Sequence, residues 1–98
     1  MTYQVVKEEI VRRRPRWLTQ VLMAMPPEEF FGECSLSEAQ TRLRAIKEVL
    51  QIFLSHKPRL RLVAEEDSLE ILSPKNYTYI RFSINQINDR DELNYSEV

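Results

Sequence analysis

The chain has 98 residues, 43% of them hydrophobic, and a formal net charge of −1, which together suit one small soluble domain with a modest core. The near-zero charge provides no general attraction to nucleic acid or membrane surfaces, and the one glycine excludes the glycine-rich loops that hold nucleotide phosphates. The one cysteine excludes an internal disulfide and a cysteine zinc cluster, and no apolar run reaches the roughly 18 to 20 residues of a membrane-spanning helix. We therefore expect a cytoplasmic protein without membrane contact, metal or cofactor.

Residues 2–13 fit two local structures. Tyr3, Val6 and Ile10 recur at helical spacing, whereas the β-branched and aromatic residues of the opening TYQVV are typical of a strand. We favour the helix. The arginine run that follows, Arg12 to Arg16, is typical of a solvated helix end, and contact with an acidic partner or a nucleic acid backbone is the alternative.

A second helix is predicted from Pro15 to Met25. Proline suits the first helical position because it has no amide hydrogen to leave unpaired. The apolar residues of this segment form one stripe, which comprises Trp17, Leu18, Val21, Leu22 and Met25. Two prolines then end the helix, and PEEFFG is typical of a single helical turn that stops at Gly32.

The longest predicted element is an amphipathic helix over Ser35 to Lys57. Its start carries two overlapping capping boxes, one at Ser35 and one at Ser37, and the proline after Lys57 ends it. Apolar residues in three-four alternation form the face that should be buried, namely Leu36, Ala39, Leu43, Ile46, Leu50 and Phe53.

After Pro58 the apolar period changes from 3.6 to 2, which predicts three strands joined by short polar turns. Such short connections favour an antiparallel meander whose apolar face lies on the long helix. The predicted fold is therefore α+β, with N-terminal helices and one long central helix packed on a three-stranded antiparallel β-meander. Residues 1–86 should form the domain, and the polar residues 87–98 a flexible tail.

The open face of this predicted sheet is the first candidate interaction surface. Its alternation projects basic and aromatic side chains together, with Glu70 between them, and these are Arg59, Arg61, Tyr77, Tyr79 and Arg81. Single-stranded nucleic acid binds such surfaces through base stacking and phosphate pairing. Ordinary cross-strand pairs on a solvated sheet are the explanation we favour, ahead of a protein partner and then of nucleic acid.

The segment from Pro27 to Lys47 is the second candidate. A short helix, a turn and a longer helix would make a helix-turn-helix, with the first hairpin as a wing. Four glutamates lie where phosphates would approach, which opposes the ionic component of DNA binding, and these are Glu28, Glu29, Glu33 and Glu38. We favour an ordinary helical hairpin here.

Catalytic chemistry has little support. Cys34 and His56, the one thiol and the one imidazole, flank the long helix and are separated by roughly 33 Å at about 1.5 Å per helical residue. They cannot form a dyad within one chain, and the acidic turn at residues 65–67 lacks metal-ligand spacing. We expect the protein not to be an enzyme.

These observations predict a small non-enzymatic protein-interaction module, an adaptor, regulator or assembly factor that binds another protein or a second copy of itself. From Val49 onward the apolar stripe of the long helix widens and demands cover on more than one side. Ile52 and Leu54 therefore join the basic and aromatic residues of the sheet in the candidate surface. The alternative is a nucleic-acid-binding regulator that uses the helix-turn-helix-like segment or the sheet face.

Overall fold

The computed structural model describes residues 1–87, which fold into two α-helices, one 3₁₀ turn and a four-stranded sheet. The predicted α+β class is confirmed. Of the predicted tail, only Ile87 belongs to the described residues, at the end of the last strand. In chain order the elements are β1 (Thr2–Glu9), α1 (Arg16–Met23), the 3₁₀ turn (Glu28–Phe31), α2 (Leu36–Leu54), β2 (Arg61–Ala64), β3 (Ser68–Leu72) and β4 (Thr78–Ile87).

The sheet is antiparallel and its strand order is β1-β4-β3-β2. The predicted meander is present as β2, β3 and β4, but a fourth strand joins it, so the prediction of a helix over residues 2–13 and of three strands was wrong. β1 pairs with β4 from Thr2 opposite Ile87 to Glu9 opposite Ile80. The local pattern of residues 2–13 fits both a helix and a strand, and the long antiparallel pairing with β4 selects the strand.

One hydrophobic core lies between the helices and one face of the sheet. The inward side chains of neighbouring strands stand side by side, since Val5 is opposite Ile84 and Phe82 is opposite Leu69. Both helices contribute to this core, and so does the connection between the 3₁₀ turn and α2. Its buried hydrophobic residues are Val5, Leu18, Val21, Cys34, Ala39, Leu43, Ile46, Leu50, Leu69, Ile71, Ile80 and Phe82.

α2 supplies the centre of the core, largely as its apolar period predicted. Four residues of the predicted stripe are buried, Phe53 packs against the core, and only Leu36 is left 40% exposed at the first turn. The side-chain oxygen of Ser35 accepts a hydrogen bond of 3.2 Å from the amide of Glu38, which selects the first of the two predicted capping boxes.

The free edge of β1 is partly covered by the chain itself. Tyr3 and Cys34 exchange two backbone hydrogen bonds of 2.8 Å, so the connection that leads into α2 runs beside the strand. Arg42 of α2 holds this connection by donating from Nη1 to the carbonyl oxygens of Phe30 and Gly32, at 2.8 and 3.0 Å. An open strand edge invites pairing with other chains, and this bridge shortens it.

The burial of α2 can be tested with two isoleucines of the same helix. Ile46→Ala should lower the free energy of unfolding by about 2–5 kcal/mol, because it leaves a cavity where the side chain is fully buried. Ile52 is 70% exposed, so Ile52→Ala should change it by less than about 0.5 kcal/mol. Urea unfolding followed by circular dichroism measures both values, and equal losses would contradict this packing.

The helix cap provides a second test. Ser35→Ala should cost about 0.5–2 kcal/mol of unfolding free energy, because the amide of Glu38 loses its acceptor. Ser37 lies inside α2, and Ser37→Ala serves as the control with an expected change below about 0.5 kcal/mol. Thermal unfolding of the two variants in parallel would place the helix start at the second capping box if Ser37→Ala were the more damaging change.

Candidate interaction site

The structure does not gather the five basic and aromatic residues on one face of the sheet. Arg61 stands opposite Leu72 and Arg81 opposite Glu70, and both project from the face away from the core. Arg59 precedes β2, and Tyr77 precedes β4 at 68% exposure. The predicted surface is therefore divided between the sheet and the loops at one end of it.

Tyr79 leaves this surface because the register between β3 and β4 shifts. Ile71 pairs with Ile80, but the next residue, Leu72, pairs with Thr78, so Tyr79 is the extra residue of a bulge. Its ring packs edge to face against Trp17 of α1, with 5.0 Å between ring centroids and an interplanar angle of 84°. Tyr79 thus packs against the core on the side of the helices.

The remaining arginine of the sheet, Arg81, is neutralised by two carboxylates on neighbouring strands. Its Nε donates to Oε1 of Glu70 at 2.9 Å and its Nη1 to Oε1 of Glu8 at 3.3 Å, while Thr78 donates to the second oxygen of Glu70 at 3.1 Å. The hydrogen bond and charge of Glu70, and then those of Glu8, raise the pKa of Arg81. This face of the sheet therefore offers phosphate a cation that already has partners.

The turn between β3 and β4 lies where the sequence predicted one, at residues 73–76, and a buried serine fixes it. The amide of Asn76 donates to the carbonyl of Ser73 at 2.9 Å, and the side-chain oxygen of Ser73 accepts from the amides of Lys75 and Tyr77 at 3.1 and 3.0 Å. Asn76 has a φ of 67°, which asparagine tolerates better than most residues. Arg61 donates to the side-chain oxygen of Asn76, so this turn is tied to β2 as well.

A groove forms beside this turn, where three distant parts of the chain meet. It encloses about 460 Å³ between the first turn of α1, the loop after α2 and the start of β4. We call it the Trp17 groove, and its lining residues are Trp17, His56, Lys57, Pro58, Arg59, Leu60, Pro74 and Tyr79. The ring centroids of Trp17 and Phe53 lie 6.4 Å apart, so Phe53 of α2 packs beside the indole.

The charge of the Trp17 groove has one sign. In residues 1–87 its lining includes the cations Lys57 and Arg59 and no carboxylate, and neither cation forms an ion pair within 4.0 Å. The loop that carries them is ordered by backbone hydrogen bonds from Lys57 to Leu54 at 2.9 Å and from Leu60 to Lys57 at 3.0 Å. Aromatic surface and unpaired cations therefore lie together on a defined backbone.

The sequence interpretation did not identify this groove, although it singled out several of its residues separately. Trp17 was assigned to the core, His56 to a helix end and Pro58 to a helix stop, while Arg59 and Tyr79 were assigned to a sheet face. The one available signal was the mixture of histidine, lysine, proline and arginine at residues 56–59. Nothing in the local pattern indicated that a tryptophan and a tyrosine would pack beside it.

The other sequence candidates are separated or buried. The first helix of the proposed helix-turn-helix is only the four-residue 3₁₀ turn, and the chain after it is extended up to Cys34, which pairs with Tyr3. Cys34 is buried, whereas His56 is exposed beyond the other end of α2. Residues 1–87 contain no group of three His, Cys, Asp or Glu side chains placed to hold a metal ion.

Leu54 and Ile52 have different surroundings at the end of α2. Leu54 packs against the core, so it is not a free apolar surface, whereas Ile52 remains 70% exposed. A single exposed isoleucine is common on monomeric proteins and does not by itself indicate a partner.

Comparison with known proteins adds no further constraint, since no family model, no curated protein and no solved structure matches this chain. In the part of the chain that the structure describes, no helix is both long and apolar enough to cross a membrane. The geometry and charge of the groove are therefore the observations from which its function can be inferred.

The carboxylate pair around Arg81 predicts unequal coupling. In double-mutant cycles on melting temperature, Arg81→Met should couple more strongly to Glu70→Gln than to Glu8→Gln, because Glu70 is the less exposed partner and the closer one. Coupling to Glu70 should also persist better when salt is added, since exposed pairs are screened more strongly. Equal coupling energies for the two glutamates would contradict this arrangement.

Proposed function

We propose that the protein is a non-enzymatic protein-interaction module, an adaptor, regulator or assembly factor, and that it binds a segment of a partner protein in the Trp17 groove. The observation that carries this proposal is that the half-buried aromatic rings of Trp17 and Tyr79 line one groove together with the unpaired cations of the ordered loop after α2. Tryptophan, tyrosine and arginine are the residues on which protein interfaces depend most often for affinity.

The residues that line the groove belong to ordered elements, which favours binding without rearrangement of the backbone. Trp17 is carried by α1 and packs against Phe53 of α2, Tyr79 belongs to a strand inside the sheet, and Pro74 belongs to a turn with four internal hydrogen bonds. A site that is already ordered loses little conformational entropy when a partner arrives. This rigidity suits recognition of a partner that is itself extended and adaptable.

Nucleic acid remains the alternative ligand, but the charges support it less well. The chain carries a net charge of −1, the cation in the middle of the open sheet face is held by two carboxylates, and the helix-turn-helix geometry is absent from the described residues. Nucleic acid binding derives most of its affinity from phosphate contacts to several cations. The Trp17 groove offers one lysine, one arginine and one histidine, which is a small number for that purpose.

A pull-down from the protein's own cells tests the proposal. Lys57→Glu with Arg59→Glu should lose a partner protein that the native chain retains, because the rim of the groove then repels what it attracted. Arg12→Glu with Arg13→Glu carries the same change of charge on exposed residues outside the groove and should keep the partner. Circular dichroism should show both variants folded.

Three results would count against the proposal. Equal loss of the partner in both double variants would remove the groove from the interaction, and recovery of nucleic acid alone would favour the alternative function. Absence of any partner, together with a monomer in sedimentation, would leave no protein interaction to explain. A dimer lost only in the Lys57→Glu and Arg59→Glu variant would identify the partner as a second copy.

A further inference from the structure

We infer that the segment bound in the Trp17 groove is an extended, proline-containing peptide with acidic side chains next to its prolines. This inference rests on the proposed function and adds the chemistry of the partner. It follows from the aromatic and apolar lining of the groove, from the absence of edge-strand residues in that lining and from the sign of the rim charges.

The floor of the groove suits proline rings. Trp17 and Tyr79 pack edge to face at 84° and together line the groove, and Leu60 with two prolines completes an apolar lining. Peptides in the polyproline II conformation dock into aromatic-lined grooves. They also lose little conformational entropy on binding, because the free peptide already populates the bound conformation.

Two other modes of peptide binding fit less well. Addition of a strand requires a free sheet edge, but Tyr79 belongs to β4, which lies between β1 and β3, and no residue of the edge strand β2 lines the groove. An amphipathic helix requires a continuous apolar trough for anchors on successive turns, and here Lys57 and Arg59 stand on either side of Pro58. An extended peptide needs neither feature.

The rim charges specify the flanking residues of the peptide. In residues 1–87, Lys57 and Arg59 have no carboxylate partner within 4.0 Å, and the lining of the groove holds no carboxylate either. Glutamate or aspartate beside the prolines would supply the missing charge, and arginine can hold a carboxylate with two parallel hydrogen bonds. A basic flank would be repelled by the same residues.

The fluorescence of Trp17 measures binding directly, because Trp17 is the one tryptophan of the chain. The probe is a synthetic peptide of about ten residues, long enough for three turns of polyproline II, that contains two Pro-x-x-Pro repeats flanked by glutamates. Titration should shift Trp17 emission to saturation, and anisotropy of a labelled peptide should give the same affinity. Replacing the glutamates with lysine should weaken binding about threefold to tenfold. Replacing the prolines with alanine should also weaken it, because the free peptide then populates polyproline II less.

The charge-reversed variant, Lys57→Glu with Arg59→Glu, provides the decisive comparison. It should prefer the lysine-flanked peptide over the glutamate-flanked one, whereas Arg12→Glu with Arg13→Glu should keep the native preference. A reversal of preference, with the variant still folded, cannot arise from loss of stability. Leu60→Ala should weaken all proline peptides without changing the preference for charge.

Other outcomes would overturn the inference in distinguishable ways. If no peptide changes emission or anisotropy, or if all of them bind equally, the peptide chemistry is wrong, and the proposed function stands as long as the pull-down partner still depends on Lys57 and Arg59. If that dependence also fails, both proposals fail. If a single-stranded oligonucleotide binds more tightly than any peptide, with a steep loss of affinity in salt, the groove is a nucleic acid site instead.

Discussion

The antiparallel ladder between β1 and β4 joins the first described strand to the last one. Both the core and the open face of the sheet depend on this pairing. With β1 in place, β4 becomes an interior strand, Val5 closes the core beside Ile84, and Glu8 reaches Arg81 from one side while Glu70 reaches it from the other. Contacts between the ends of a chain close a long loop, which costs entropy that the paired strands must offset. Here the bridge between Tyr3 and Cys34 adds pairing on the free side of β1, so the strand is held on both edges at its start.

The bulge at Tyr79 is the second constraint, and it turns a strand residue into a groove residue. In a regular ladder Tyr79 would share the open face with Arg81, since both are odd-numbered positions of one strand. One extra residue relative to β3 lets its ring pack against Trp17, while its carbonyl oxygen still accepts from the amide of Ile10 at 3.0 Å. Bulges often re-aim side chains near functional sites, and this one places aromatic surface beside the cationic loop.

The sequence predicted the elements that depend on neighbouring residues, but it did not predict the features that depend on contacts between distant segments. The 3.6-residue period, the cap at Ser35 and the proline after Lys57 predicted α2 closely, because each of these signals acts over a few residues. The hairpin turn at Ser73 was predictable for the same reason. β1 was missed because residues 2–13 satisfy two local patterns and only pairing with β4 chooses between them. The groove could not be predicted, since it requires α1, the loop after α2 and a register shift in β4 at once.

Charge distribution gives the two faces of the domain different capacities for binding. On the open sheet face each charge near the centre has an internal partner, so a ligand would have to displace a carboxylate from Arg81 and would gain little net attraction. In the Trp17 groove Lys57 and Arg59 are exposed, and no carboxylate of residues 1–87 lines the groove, so an incoming acidic group would pair with cations that have no competing partner there. Because the neighbouring surface is aromatic and apolar, water displaced from it adds a favourable contribution that does not depend on charge. A ligand with both apolar rings and an acidic group contacts the aromatic lining and the two cations together. A ligand that lacks the rings or the acidic group leaves one of these two regions of the groove without a partner.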